Sequence, residues 1–555
     1  MSKFFSANKR LLSRVLLSAV VAGAAGAAQA ATPFEVDVST AINRGIEFLA
    51  TQGVYNNPSS VGDDGASGLA MEALLEKRAS GIPTDPPQGY IGATATDQGR
   101  LRTAAAYILD RVNNTSFYAY RDGQWMFALS SYALTGGPDK STLAPADASY
   151  QTIKQAMDAL VDRTLSNQRT ATNGFPNAIN QGYWCYTNAF CEDSSTTQFA
   201  VAGLAAAKSF YSSNKSADAP FADAARVTAI DAALARSRTA YELNAAVGSD
   251  NASCFNLSAN ERGHGYNSFL TLGHRPSLAQ TSSGIYIQLF GGANINTPMV
   301  QSYMQWVKNR YRWQDLDNLG NSWSGNSMGY YMWSSFKAME LLRQAGVPPS
   351  AGNIGPNEFG TLPAASAPAC VVRQENKEPA TFARPAVFGA GAVGYYAGEP
   401  KGQYFDFAHQ LISMQCANGS FTCTGFPGSW GDSAQASHNS YALLVLQRST
   451  GGGCVDTDGD GVCDDVDNCP AVANANQANT YGDARGDACE PRPVATCDID
   501  VDSDVDTIDV NLVRAGIGKP LVAGDKRDVN GDGKITINDV RACVLKCTRA
   551  SCATN

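Results

Sequence analysis

Near the C-terminus, side-chain oxygens recur at alternate residues three times: Asp456, Asp458 and Asp460; Asp498, Asp500 and Asp502; Asp528, Asn530 and Asp532. A calcium ion takes several hard oxygen ligands from a short flexible loop, and this spacing supplies them. Asp464 and Asp467 extend the first set. The other two sets fill the first, third, fifth, seventh, ninth and twelfth places of EF-hand-type loops: Asp498, Asp500, Asp502, Asp504, Asp506, Asp509, and Asp528, Asn530, Asp532, Lys534, Thr536, Asp539. The seventh residue of such a loop serves through its backbone carbonyl. Gly533 supplies the sharp turn of the later loop, whereas Ser503 holds that place in the earlier one at a cost in backbone strain. The expected cofactor is Ca²⁺.

An aspartate closes each loop, and an apolar helical stretch follows (Val510 to Ala515, Val540 to Lys546). This arrangement resembles the duplicated loop-helix units of dockerin domains over residues 497 to 547. The resemblance implies docking onto a cohesin-like or cell-surface protein; the spacing by itself implies only calcium. The first cluster, with Cys463, Cys469, Pro470 and the run from Asp483 to Cys489, resembles a thrombospondin type 3 repeat over residues 454 to 490. Carboxylates alternate there with cysteines, so metal and disulfides stand in for a hydrophobic core.

The remaining chemistry-bearing residues lie upstream. Glu192, Asp193, Asp432 and His438 are the catalytic candidates, and Asp63, Asp64, Trp125, Trp184, Arg262, His264, Trp323 and Trp430 are candidates for a ligand cleft. Acids beside aromatic rings suit a carbohydrate site, where one carboxyl donates a proton, another acts as base or nucleophile, and rings stack on sugar faces. Acids that precede helices also act as caps, and tryptophans beside glycines staple loops. Both readings stay open.

The elements that position these residues are helices. Six stretches are apolar nearly all round: Ser67 to Leu75, Trp125 to Leu134, Thr196 to Ala207, Ser283 to Leu289, Tyr330 to Leu342 and Ser437 to Leu446. A one-sided partner precedes each, around Thr40 to Thr51, Arg100 to Val112, Tyr150 to Leu165, Ala224 to Tyr241, Met299 to Arg310 and Phe405 to Met414. All-round apolar helices belong inside and one-sided helices outside. Six outer-inner hairpins predict an all-α fold, an (α/α)6 toroid over residues 31–451, with an open α-solenoid as the alternative. Its pocket would sit where the loops entering the inner helices converge. A Pro- and Gly-rich linker from Gly346 to Ala392 would cross the barrel before the sixth hairpin.

Two stretches share a pattern: Gln168 with Asn173-Gly174-Phe175 ahead of Glu192 to Gln198, and Gln415 with Asn418-Gly419-Ser420-Phe421 ahead of Trp430-Gly431-Asp432 and His438. Asp122-Gly123-Gln124-Trp125 repeats it weakly. The pattern, an aromatic-glycine turn opening an inner helix, resembles the prenyltransferase and squalene-cyclase repeat superfamily and implies its toroid. The cyclases' Asp-x-Asp-Asp acid is missing from the body, and the four histidines form no prenyltransferase-like zinc set, so terpenoid cyclisation is a remote alternative.

Lys3, Lys9, Arg10 and Arg14 precede an apolar run from Val15 to Ala28, and Ala28-Gln29-Ala30 forms a small-x-small cleavage site. Residues 1–30 therefore predict a signal peptide and a secreted or cell-surface protein with no later transmembrane segment. The 14 cysteines suit an oxidising compartment, with Cys185–Cys191 and Cys416–Cys423 as plausible local bridges. From residue 454 on, 19 acidic residues face 10 basic ones, while the rest of the chain carries 32 of each. A neutral body with an acidic tail excludes nucleic acid as a partner, since phosphate binding needs a basic surface. The boundaries expected are 1–30 signal peptide, 31–451 toroid, 452–492 thrombospondin-like repeat and 493–555 dockerin-like domain. Two functions compete: a recognition and assembly scaffold, with a glycan among its expected ligands, held by a calcium-dependent tail, and an extracellular glycoside hydrolase or lyase.

Overall fold

A computed structural model describes residues 31–55, 66–78, 87–138, 152–212, 221–245, 260–267, 276–310, 328–344, 379–400, 402–421 and 435–451 of the body. In the tail it describes 468–469, 472, 486, 488–489, 497–502, 504–520, 525–530 and 532–554. Residues 1–30, the expected signal peptide, and Asp63, Asp64, Trp323, Trp430, Asp432, Asp456, Asp458, Asp460, Asp464 and Asp467 lie outside the described residues.

The described body is helical. Its elements are α1 (Pro33–Thr51), α2 (Ala66–Leu75), α3 (Ala95–Asn114), α4 (Ala119–Leu134), α5 (Ile153–Ser166), α6 (Ser194–Ser212), α7 (Ala224–Asn244), α8 (Leu278–Phe290), α9 (Pro298–Arg310), α10 (Met328–Gln344), α11 (Gln403–Met414) and α12 (Gln435–Leu446). Strand pairing among the described residues is limited to isolated bridges such as Trp184 with Asp193. Local chemistry sets the helix starts. Thr32 with Glu35 and Thr152 with Gln155 form capping boxes, and Thr94, Asp223 and Ser277 each accept a hydrogen bond from the first turn they precede.

The even-numbered helices are the interior ones. Every residue of α2 is buried, and α8 is buried from Leu278 through Leu289. In α7, by contrast, burial is confined to Ile230, Ala233, Leu234, Ser237, Ala240, Tyr241 and Asn244, which is one helical face. Contacts between interior helices run α2 to α4, α6, α8, α10, α12 and back to α2, while α3, α5, α7, α9 and α11 lie against neighbouring interior helices and α1 against both α2 and α12.

The closest approach in this circuit is between α4 and α6. A Cβ on Gly123 would stand 2.2 Å from the Phe199 carbonyl oxygen, and one on Gly203 would stand 2.7 Å from Gly123. Gly123 therefore lies inside a helix and lets two backbones touch, which corrects its expected role in a turn. Gly174 and Gly419 do occupy turns, with φ of 105° and 90°.

Rings from helices three places apart in the circuit meet within it. Phe127 of α4 lies 6.3 Å from Trp333 of α10, and Phe199 of α6 lies 6.4 Å from Tyr441 of α12. Trp333 further contacts Phe199 at 5.4 Å and Tyr441 at 5.6 Å, and all four rings are buried. Beyond α12 the chain returns to this cluster: Gly451 adopts φ +76°, and a Cβ there would sit 3.4 Å from Trp333 and 3.8 Å from Phe127. The described end of the expected linker lies on outer helices. Arg384 pairs with Asp37 of α1 at 2.7 Å, and Phe382 packs edge-on against His409 of α11.

The tail contributes α13 (Thr507–Ala515) and α14 (Ile537–Val544), which pack on each other. Val505, Val510, Val513, Ile535 and Val540, with Cys497 and Cys543, form a small core of their own. Disulfides join Cys185 to Cys191, Cys469 to Cys489, Cys497 to Cys543 and Cys547 to Cys552. Cys416 is also oxidised, and its expected partner Cys423 lies outside the described residues.

Candidate metal centres and the entrance to the helical circuit

The two tail loops are built alike, residue for residue. In the first, the closing Asp509 accepts hydrogen bonds from the backbone of Asp500 (3.3 Å) and Asp506 (3.0 Å), and also from that of Ile499 (2.6 Å). In the second, Asp539 accepts them from Asn530 (3.1 Å) and Thr536 (2.7 Å). Asp498 accepts from Asp502 N at 3.2 Å, as Asp528 does from Asp532 N at 3.1 Å. Asp502 and Asp532 accept in turn from the backbone of Asp504 and Lys534. Asp506 and Thr536 cap α13 and α14, so each ninth place ends the loop and starts the helix. Gly533 adopts φ +82° and donates to Asp528 at 2.9 Å.

These hydrogen bonds gather oxygens. Ligand atoms within 4.8 Å of one another come from Asp498, Asp500, Asp502 and Asp509, and from Asp528, Asp532 and Asp539. A donor set made only of oxygen suits Ca²⁺ or Mg²⁺ and not zinc, which prefers nitrogen and sulfur. Burial, then repulsion from Asp509 and Asp502, pushes the Asp500 carboxyl up to about 6. A bound cation would reverse that repulsion. The first loop also groups Asp504 with Asp506 and Asp509. The side chain of Asp504, expected to act through its carbonyl alone, therefore turns toward the site, where Arg549 approaches it at 3.3 Å.

Upstream, the carboxylates are committed to structure. Asp193 Oδ1 accepts from Ser195 N (2.8 Å), Ser195 Oγ (2.6 Å) and Thr196 N (3.0 Å), which makes it the cap of α6. Burial raises its pKa despite these donors. Glu192 is paired with the guanidinium of Arg169 at 2.9 Å, and Arg169 also covers the Phe175 ring at 3.9 Å. The Asn173-Gly174-Phe175 turn thus fastens the approach to α6. Asp122, in the first turn of α4, is held by Arg121 and Arg163.

The described cleft candidates are held within the body by packing and hydrogen bonds. Trp125 and Trp184 are 0 % exposed. Their indole N–H groups donate to Ser67 Oγ and to the Thr164 carbonyl. His264 is wholly buried, stacked 4.0 Å from Tyr241, with Nε2 at 3.0 Å from Tyr183 OH, and burial lowers its pKa to about 4. His438 is buried within α12. Arg262 binds backbone, its N–H donating to Ser302 O and Nη1 to Glu261 O. Glu192 and Asp193 adjoin in sequence but serve an ion pair and a cap.

What sequence reasoning missed is a group of tyrosines at the entrance. Tyr118, Tyr120 and Tyr186 place their ring centroids 5.7 to 6.3 Å apart, and Tyr186 OH lies 2.6 Å from Tyr266 OH. Tyr120 OH donates to Ser195 Oγ at 2.6 Å, which links these rings to Asp193. All four are partly exposed. The Cys185–Cys191 bridge closes the adjoining loop, whose Phe190 is 82 % exposed. The four tyrosines come from three separate segments with no shared spacing, so only the fold unites them.

No family model matches the chain, and no curated protein or solved structure matches it either. Among the described residues no helix is long and apolar enough to cross a membrane.

Proposed function

We propose that this is an exported calcium-binding protein: the body is an (α/α)6 toroid that serves as a recognition and assembly scaffold, and the tail attaches it elsewhere in a calcium-dependent way. The observation that carries the calcium assignment is the pair of equivalent oxygen clusters, each closed by an aspartate that also receives backbone N–H groups. The circuit of contacts that returns from α12 to α2 supports the toroid. The aromatic cluster inside that circuit suits a scaffold, since it braces helices on opposite sides of the body.

The dockerin-like reading of residues 493–555 rests on the duplicated loop-helix units. Ile508, Leu512, Ile537, Val544 and Leu545 are exposed on or beside α13 and α14, which suits docking to a cohesin-like or cell-surface protein. Residues 452–492 take the thrombospondin-like part, to which the Cys469–Cys489 bridge belongs. Oxidised cysteines and the leader at residues 1–30 favour an extracytoplasmic location. A second reading, an extracellular enzyme on polysaccharide, draws on the partly exposed Tyr118, Tyr120, Tyr186 and Tyr266, since such rings can stack on sugar faces.

Isothermal titration of the oxidised full-length chain tests the primary reading. Saturable heat with Ca²⁺, abolished by prior chelation, is expected; an absence of heat would sink the assignment. Incubation with a panel of polysaccharides, read by released reducing or unsaturated ends, decides against the scaffold if products appear.

A further inference from the structure

Lys337 lies in the middle of α10, 0 % exposed, and its Nζ has no hydrogen-bond partner. The Nζ sits 4.0 Å from the Tyr286 ring centre and 4.1 Å from that of Trp333. These are the faces of two rings from adjacent interior helices, α8 and α10, and the negative face of an aromatic ring favours a cation. Among the described residues no carboxylate pairs with it, and burial alone accounts for a pKa well below that of an ordinary lysine.

Two more buried donors belong to the same contact group. Trp333 Nε1 has no partner, and neither has Nε2 of Gln198, whose Oε1 accepts from the hydroxyl of that same Tyr286. An ammonium and an indole N–H on α10 and an amide N–H₂ on α6, linked through the Tyr286 side chain of α8, thus have nothing to receive them. An unpaired buried donor costs about 1–3 kcal/mol, and an unpaired buried charge more. A group of donors alone is satisfied by an acceptor, and a group with a net positive charge is satisfied best by an anion.

We propose that the interior of the helical circuit binds a small monovalent anion of the halide class, held by Lys337 with Trp333 Nε1 and the Gln198 amide. The anion supplies the countercharge that the two aromatic faces cannot supply, and it keeps the lysine in its ammonium form. Tyr286 and Trp333 fix Nζ laterally, so the ion is a structural part of the body, independent of the tail's cations.

The test uses the full-length calcium-loaded protein, exchanged into gluconate and titrated with sodium chloride or bromide at constant ionic strength. Thermal unfolding is followed by helical circular dichroism. A saturable rise in melting temperature is expected, with Lys337→Met melting above the native chain in gluconate and showing no halide response. Trp333→Phe, which removes the indole N–H while keeping an aromatic face beneath Nζ, weakens the halide response severalfold and guards against a misfolded Lys337→Met. Crystals grown in bromide should show an anomalous peak in contact with Nζ. Equal melting of the native chain in gluconate and chloride overturns the proposal, as does an undiminished halide response in Lys337→Met.

Discussion

Phe199 and Tyr441 bring their ring centres to 6.4 Å although α6 and α12 lie three places apart in the circuit of interior helices. With Phe127 and Trp333 they join opposite sides of the body through one aromatic cluster. Phe199→Ala would leave a void bordered by four helices that cannot collapse independently. A loss of about 3–5 kcal/mol follows for such a truncation. Denaturant titration of helical circular dichroism checks it, and a loss well under 1 kcal/mol would mean that the rings do not brace the circuit.

His264 gives the body an acid limit. Its folded pKa, about 4, lies below the ordinary value of 6.5 because the ring is buried between Tyr183 and Tyr241. The unfolded chain therefore binds the proton first. The stability contributed by neutral His264 is complete above pH 6.5 and drains away as pH falls toward 4, a change of about 3 kcal/mol. Unfolding free energies measured across that range should fall more steeply in the native chain than in His264→Gln. Parallel curves would contradict this.

Glu72 behaves oppositely. It is buried in α2, receives one hydrogen bond from Ser131, and leaves Oε2 without a partner. Burial and the neighbouring Glu76 raise its pKa well above that of an ordinary carboxyl. Ionising it disfavours the fold once the pH exceeds the unfolded value. Glu72→Gln should accordingly stabilise the body at pH 7, by about 1–3 kcal/mol, and by less at pH 4. Melting temperatures at the two pH values report the difference.

In the tail, Asp509→Asn and Asp539→Asn should each remove one calcium-binding event from a titration while leaving the other, since each residue closes its own cluster. Chelation should expose both loops to protease, yet Cys497–Cys543 and the valine core between α13 and α14 should keep residues 497–547 joined and partly compact. Fragments compared under reducing and non-reducing conditions show this directly. Loss of both calcium events from either single variant would mean that the loops form one coupled site.

The twelve described body helices were legible because burial imposes a period: all-round apolar stretches became α2 to α12 in even numbers, and one-sided stretches became their odd partners. The oxygen clusters were legible because metal loops fix residue type at each place. Less was legible where a residue's role depends on distant partners. Nothing local marks Glu192 as the partner of Arg169, or Trp125 as a core ring whose N–H finds Ser67. Gly123 looked like a turn because glycine permits turns, yet its use is to admit Phe199 of α6. In the loop-helix units the sequence pattern points to cations, but five apolar side chains and a long-range disulfide also hold them together.

Gly451, turned left-handed against Trp333 and Phe127, is where the chain leaves the aromatic cluster for the tail. A pull applied at that point would load the hub of the body. Such tension would be shared among the helices that surround the cluster.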